Sequence, residues 1–258
     1  MDRAHWVLVI DGDQVRVFDG TLKPAFVLKG FKGPQDVAGD ATGRIWVADT
    51  GHDRVMRFTS DGKPDPAFGK GGAVSTIGET KLKGPQGLVL PRFEEEGPRY
   101  LLGDGLLYRC GADSCSVDSL SLEANRRPKV NAFSVPMESE VDYDSAAMLT
   151  ADGWQTIGEM GPIRTVSKAK VFAACGYTSY PYFVAAQGNE LIEYWNDREA
   201  RRLKVPFAPT AIAGNPRGTL SEPRDAHGAT GGYGPIHLYV AGKGVLQERV
   251  VDRLDRTP

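Results

Sequence analysis

Between Gly33 and Gly69 the chain reads GPQDVAGDATGRIWVADTGHDRVMRFTSDGKPDPAFG. Three short apolar runs, Asp36–Gly39, Arg44–Ala48 and Arg54–Phe58, are separated by turns rich in Asp, Gly and Thr. Runs of this length between such turns predict consecutive antiparallel strands with hairpin chemistry at every junction. The unit of apolar strand, glycine turn and apolar strand recurs six times. The copies are Trp6–Phe18, Ile45–Phe58, Tyr100–Cys110, Ala147–Met160, Tyr182–Trp195 and His237–Val250. Each carries a turn glycine, because tight hairpin turns favour a residue that tolerates positive φ.

GPQDVAGDATGRIWVADTGHDRVMRF resembles the NHL repeat, the blade unit of a family of β-propellers. The resemblance covers residues 33–69, and GPQGLVL at Gly84–Leu90 is similar again. A blade cannot bury its faces alone, so the resemblance implies a ring of blades. From Gly12 to Gly244 the copies recur at about 46 residues, inside the ~40–50 residue period of such blades. The expected architecture is therefore an all-β, six-bladed NHL-like β-propeller forming one domain over residues 1–258. Its blades would lie at about 1–30, 31–80, 81–125, 126–168, 169–206 and 207–258. The six hairpins would be second and third strands. Inner strands are expected at Asp36–Asp40, Gly87–Leu90, Ala132–Val135, Val171–Cys175 and Thr210–Ala213. No inner strand precedes the first copy and little chain follows Val250, so the closing blade is expected to be short by a strand.

A net charge of −2 argues against a nucleic-acid surface, which carries a basic excess. No apolar run approaches the ~18–20 residues of a membrane span. MDRAHWVLVI lacks the order of a signal peptide. Cys110 and Cys115 flank GADS, a four-residue hairpin tip, and opposed Cβ atoms in an antiparallel pair lie ~4.5–5.5 Å apart. A disulfide there would imply an oxidising compartment, so an extracytoplasmic (secreted or periplasmic) location is expected, with a leader outside the present sequence. The competing reading is two reduced cysteines beside a turn. Cys175, in an apolar run, reads as a buried thiol.

His5, His52, His227 and His237 show no metal-ligand spacing, and no metal ligand is assigned. Amidating lyases with NHL propellers hold zinc on channel histidines. The resemblance, however, puts His52 and His227 in loop sets on opposite faces. Asp49, Thr50, Asp53 and Arg54 read as turn-building residues: Asp49 can accept backbone N–H groups of the turn, and Arg54 can pair with a nearby carboxylate. The Asn-His pair of the family is replaced here by His52–Asp53. Asp11, Asp13, Gln14, Asp104, Asp152, Trp154, Gln155, Asn189, Glu190 and Lys243 would gather on the same face of short turns. Trp154 reads either as an interaction anchor or as a ring folded over a neighbouring blade.

The opposite face should carry longer loops between first and second strands. Pro91–Arg99 holds Glu94, Glu95 and Glu96, and Pro136–Ser145 holds Glu138, Glu140, Asp142 and Asp144. Such acidic loops could attract a basic partner or a divalent cation, although no calcium-loop spacing is present. Gly214–Pro235 exceeds the ~12–15 residues of plain connections and offers Arg217, Arg224 and His227 for anion contact. Disorder is its competing reading.

The chain has no nucleophile elbow, phosphate-cradling loop or dinucleotide fingerprint. The leading expectation is a binding or scaffold module showing loops to a protein or glycan partner, with no cofactor, nucleic acid or membrane span. The alternative is a secreted hydrolase or lyase with a metal-dependent site, calcium or zinc, in the central channel.

Overall fold

The computed structural model describes residues 6–40, 42–77, 80–90, 99–103, 106–110, 115–117, 132–134, 146–157, 165–174, 182–195, 198–216 and 236–251. These residues are all-β, apart from one 3-10 turn at Thr50–His52. Every registered strand pair is antiparallel between chain neighbours, as hairpin-rich sequence requires.

The first sheet is β1 (Val7–Asp11), β2 (Gln14–Phe18) and β3 (Pro24–Lys29). The second is β4 (Asp36–Gly39), β5 (Ile45–Asp49), β6 (Arg54–Phe58) and β7 (Ala73–Val74). A short ribbon of β8 (Thr76–Ile77) and β9 (Thr80–Lys81) leads to the third sheet. That sheet holds β10 (Pro85–Val89), β11 (Arg99–Gly103), β12 (Leu106–Cys110) and β13 (Cys115–Val117). The fourth holds β14 (Ala132–Ser134), β15 (Ala146–Thr150), β16 (Gly153–Ile157) and β17 (Thr165–Ser167). The fifth holds β18 (Val171–Ala174), β19 (Tyr182–Gln187), β20 (Glu190–Trp195) and β21 (Arg198–Lys204). The sixth is β22 (Ala211–Pro216), β23 (Ile236–Gly242) and β24 (Val245–Val251).

The hairpins and inner strands thus fall where the sequence placed them, within three residues. One correction concerns Gly214–Pro216, which extends β22 and pairs with Leu238, His237 and Ile236 instead of opening a loop. The chain divides into two compact units, Met1–Phe133 and Ser134–Pro258.

Alternation explains the packing within the first unit. In β5, Ile45 and Val47 point to a cluster with Val15, Val17, Leu28 and Phe31 of the first-sheet region. Trp46 points the other way, to Leu82 and Leu101. All five β5 residues are buried, because side chains on both faces meet a neighbouring sheet. Ile45 and Val47 are fully buried, and burial of such a side chain stabilises by roughly 1.5–3 kcal/mol. In the second unit β19 is likewise buried from Tyr182 to Ala186, packing Val184 and Ala186 with Leu191, Leu238 and Val240. Outermost β21 is mostly exposed, and its REARRLK sequence suits water.

The turns refine the glycine expectation. Lys243 and Gly244 both have positive φ (49° and 74°), the geometry of a two-residue type I′ hairpin. At the β5–β6 turn the left-handed residue is Asp53 (φ 51°), not a glycine. Gly51 is needed there for close approach instead: a Cβ would lie 2.6 Å from the Lys32 carbonyl oxygen, which accepts the Gly51 N–H.

Candidate functional site

The β5–β6 turn shows what its polar residues do. Asp49 ends β5 and is fully buried, a position a carboxylate tolerates only when its oxygens are occupied. Its Oδ1 accepts the Lys32 N–H at 2.8 Å. Its Oδ2 accepts Arg54 Nε at 2.7 Å and lies 2.9 Å from His52 Nδ1. Arg54 also donates to the Gly30 carbonyl at 3.0 Å. Asp49 and Arg54 thereby tie the chain leaving the first sheet onto the second. On the other side, Thr50 Oγ1 donates to the Pro85 carbonyl (2.6 Å) and Asp53 Oδ1 accepts the Gly84 N–H (2.7 Å). Asp13 Oδ1 similarly accepts the Gly33 N–H at 2.8 Å. These residues stitch three successive sheets, and their oxygens are committed to that task. The His52 side chain, 44% exposed, faces outward from this knot.

Trp154 is not an anchor on a turn face. It is 4% exposed, stacks on Phe172 with centroids 4.4 Å apart, and donates its Nε1–H to the Ala169 carbonyl at 3.1 Å. The reason is its place as the second residue of β16, opposite Leu149, instead of at the turn tip. There the indole fills the gap to β18, and its one donor is satisfied, so the reading of a ring packed on its neighbour holds.

The other site residues of the sequence reading lie outside the described residues. These are Glu94, Glu95, Glu96, Glu138, Glu140, Asp142, Asp144, Arg217, Arg224 and His227. What the strand bounds do give is the chain length each connection spans. Between first and second strands these are 40–44, 90–98, 135–145, 175–181 and 217–235. Between second and third strands they are only 12–13, 50–53, 104–105, 151–152, 188–189 and 243–244. β12 and β13 pair with Cys110 opposite Cys115, as the hairpin-tip reading requires of the backbone. Among the described residues no disulfide is present.

Asp36, on inner strand β4, had no assigned role in the sequence reading. Its Oδ2 accepts the N–H of Leu88 on β10 at 2.7 Å, and its Oδ1 accepts the Val37 N–H at 2.8 Å. Burial without a cation pushes its carboxyl up to about 6, against the pull of those two N–H donors. The carboxyl joins two inner strands. No sequence signal could have shown it, because its partner lies 52 residues away. Among the described residues no three His, Cys, Asp or Glu side chains converge to hold a metal ion. Asp36, with both oxygens taken by backbone donors, does not fit that role. No helix among them is long and apolar enough to cross a membrane.

No protein-family model matches the sequence, and no curated protein matches it. Solved structures do. The β-propeller domain of Cps50 (Swd1) from Myceliophteria thermophila is similar with a TM-score of 0.61 at 11% identity, over 96% of this chain and 94% of that one. XC5397 from Xanthomonas campestris, described as a gluconolactonase, gives a TM-score of 0.61 at 11% identity over 95% and 82%. BBS1N, solved in complex with ARL6DN, gives 0.54 at 13% over 96% and 76%. At these identities the likeness concerns the fold alone: this chain has a β-propeller fold.

Proposed function

We propose that this protein is a binding module of the NHL-like, six-bladed type, a single ring that presents the connections between first and second strands to a protein or glycan partner. The observation that carries the reading is the contrast in connection length. The stretch 217–235 is many times longer than 243–244 in the same sheet, although a sheet needs only a short link to close either pair. Extra chain incurs ordering entropy that the fold does not require, so length of this kind marks recognition. Glu94, Glu95, Glu96, Glu138, Glu140, Asp142 and Asp144 would attract basic groups, and Arg217, Arg224 and His227 would meet anionic ones. A scaffold role for this fold has a parallel in BBS1N, which is found bound to ARL6DN.

The disulfide Cys110–Cys115 and an extracytoplasmic location belong to the same proposal. The opposed backbone positions of the two cysteines support the first, and the second follows if the bond forms in the cell.

A hydrolase or lyase is the second reading. XC5397 shares the fold, and Asp36 brings a carboxyl raised by burial to about 6 to an inner strand. Incubating the purified chain on glycan and protein arrays, with metal analysis of the same preparation, separates the two. Saturable array binding by metal-free protein supports the module. Stoichiometric calcium or zinc, together with turnover of a lactone or ester, would replace it with the enzyme.

A further inference from the structure

The third sheet sets two of the chain's three cysteines against each other. Cys110 ends β12 and Cys115 opens β13, and they form the last registered pair before the connection 111–114. The register of the sheet also fixes the class of that pair. Gly103 and Leu106 flank the two-residue link 104–105, and residues that flank such a link exchange backbone hydrogen bonds. Hydrogen-bonded pairs recur at every second position, so Leu106, Tyr108 and Cys110 turn their backbone groups toward β11. Toward β13 the order is reversed: Arg109 and Ser116 are a hydrogen-bonded pair, and Cys110 and Cys115 are a non-hydrogen-bonded one.

A non-hydrogen-bonded pair brings Cα atoms to ~4.5 Å, at the near limit of the ~4.4–6.8 Å that disulfides span. Opposed Cβ atoms stay ~4.5 Å apart or more, where a disulfide needs ~3.5–4.5 Å. The position therefore admits the bond only at the edge of its range, and departure from the preferred geometry makes a disulfide easier to reduce. Little offsets that cost. Cys110 and Cys115 are five places apart, and the constraint a cross-link puts on the unfolded chain grows with the loop it closes. β13 is three residues long, so little ladder has to shift as the bond forms or opens.

We propose that Cys110 and Cys115 are a reversible redox site, a dithiol that exchanges with small disulfides of the glutathione class. This deepens the Cys110–Cys115 bond proposed above and rests on it, turning a structural staple into a labile modification. In the oxidising direction one cysteine thiolate attacks a sulfur of oxidised glutathione, whose S–S bond breaks as one glutathione thiolate leaves. The second cysteine thiolate then attacks the protein sulfur of the mixed disulfide and releases the other glutathione. Two protein thiols are oxidised, one glutathione disulfide is reduced, and the two protons pass to the released glutathione thiolates.

The test equilibrates the full chain with reduced and oxidised glutathione over a range of ratios. Samples are quenched in acid, alkylated unfolded and weighed intact, with peptide mapping to locate the bond. The Cys110–Cys115 bond should form and open reversibly, with an equilibrium constant against glutathione at least ~100-fold below that of a structural disulfide. At least one of the single variants Cys110→Ser and Cys115→Ser should hold glutathione on its remaining cysteine, because no second thiol is there to release it. A bond that forms yet resists reduction like a structural disulfide overturns the redox site and leaves the proposed bond standing. Three alkylated cysteines at every ratio overturn both. Glutathione uptake by neither variant overturns the exchange.

Discussion

The second and fifth sheets solve one packing problem with opposite charges. Each has a charged residue three places into its third strand, Arg57 in β6 and Glu193 in β20, facing the following sheet. Arg57 is closed in on every side. Its Nε donates to Asp65 Oδ2 at 2.7 Å, and its guanidinium sits 5.1 Å from the Trp46 centroid and 4.5 Å from that of Phe68. Both partners of this pair are only 8% exposed. Glu193 is fully buried and accepts Arg201 Nε at 2.6 Å, but Arg201 is 37% exposed, and Glu193 Oε1 has no hydrogen-bond partner among the described residues. A planar cation can satisfy itself against ring faces as well as a carboxylate, whereas a buried carboxylate needs a donor for each oxygen. The Arg57 arrangement is therefore complete and the Glu193 arrangement is one donor short.

This difference sets the order of expected losses. Arg57→Met should cost about 3–5 kcal/mol in urea denaturation, because it strands the buried Asp65 carboxylate. Glu193→Gln should cost less, roughly 1–2 kcal/mol, since the released Arg201 can turn to water and the orphan oxygen loses its charge. Equal losses, or the reverse order, would break the comparison.

The next test concerns the inner strand of the second sheet. Burial raises the Asp36 carboxyl of the folded chain from the ordinary 3.8 to about 6. Between those values the folded state binds the proton and the unfolded chain does not, so stability should fall as pH rises through this window. Asp36→Asn should flatten that slope, measured by denaturation at pH 4, 5 and 6. An unchanged slope would assign the pH response to other groups.

The smallest effect lies in a repeated turn. Asp19, Asp40 and Thr59 each open a turn in which the residue three places on donates its N–H back to them. That residue has positive φ in all three: Leu22 (62°), Gly43 (84°) and Gly62 (80°). A leucine there is strained where glycine is not, so Leu22→Gly should stabilise by about 0.5–1 kcal/mol in thermal melts. A loss instead would show that Leu22 makes compensating contacts.

Legibility in the sequence followed the same divide between the obvious and the remote. The second and third strands could be read, because alternation and turn chemistry coincide at Ile45–Phe58 and at Tyr182–Trp195. Outer strand β21 could not, since its exposed REARRLK sequence carries no apolar pattern to recognise. The pairing of Asp49 with Arg54 was legible because the two flank one turn, whereas the backbone donor to Asp49 was not, since it is the remote Lys32 N–H and not one of the turn's own. The burial of Trp154 was not, because it depends on Phe172 and Ala169 in a later part of the fold. Length contrast between connections could be read from sequence, although the bounds of β22 moved the start of the longest one from Gly214 to 217.

The most direct test compares the two sets of connections as carriers of function. Two variants are placed on the same glycan and protein arrays as the wild type. One has 217–235 shortened to a brief turn, and the other is His52→Ala, on the face of short turns. Circular dichroism should show the same β-rich spectrum for all three. Binding should be lost in the shortened variant and kept in His52→Ala. Full binding by the shortened variant, with loss in His52→Ala, would contradict the account and move recognition to the short turns.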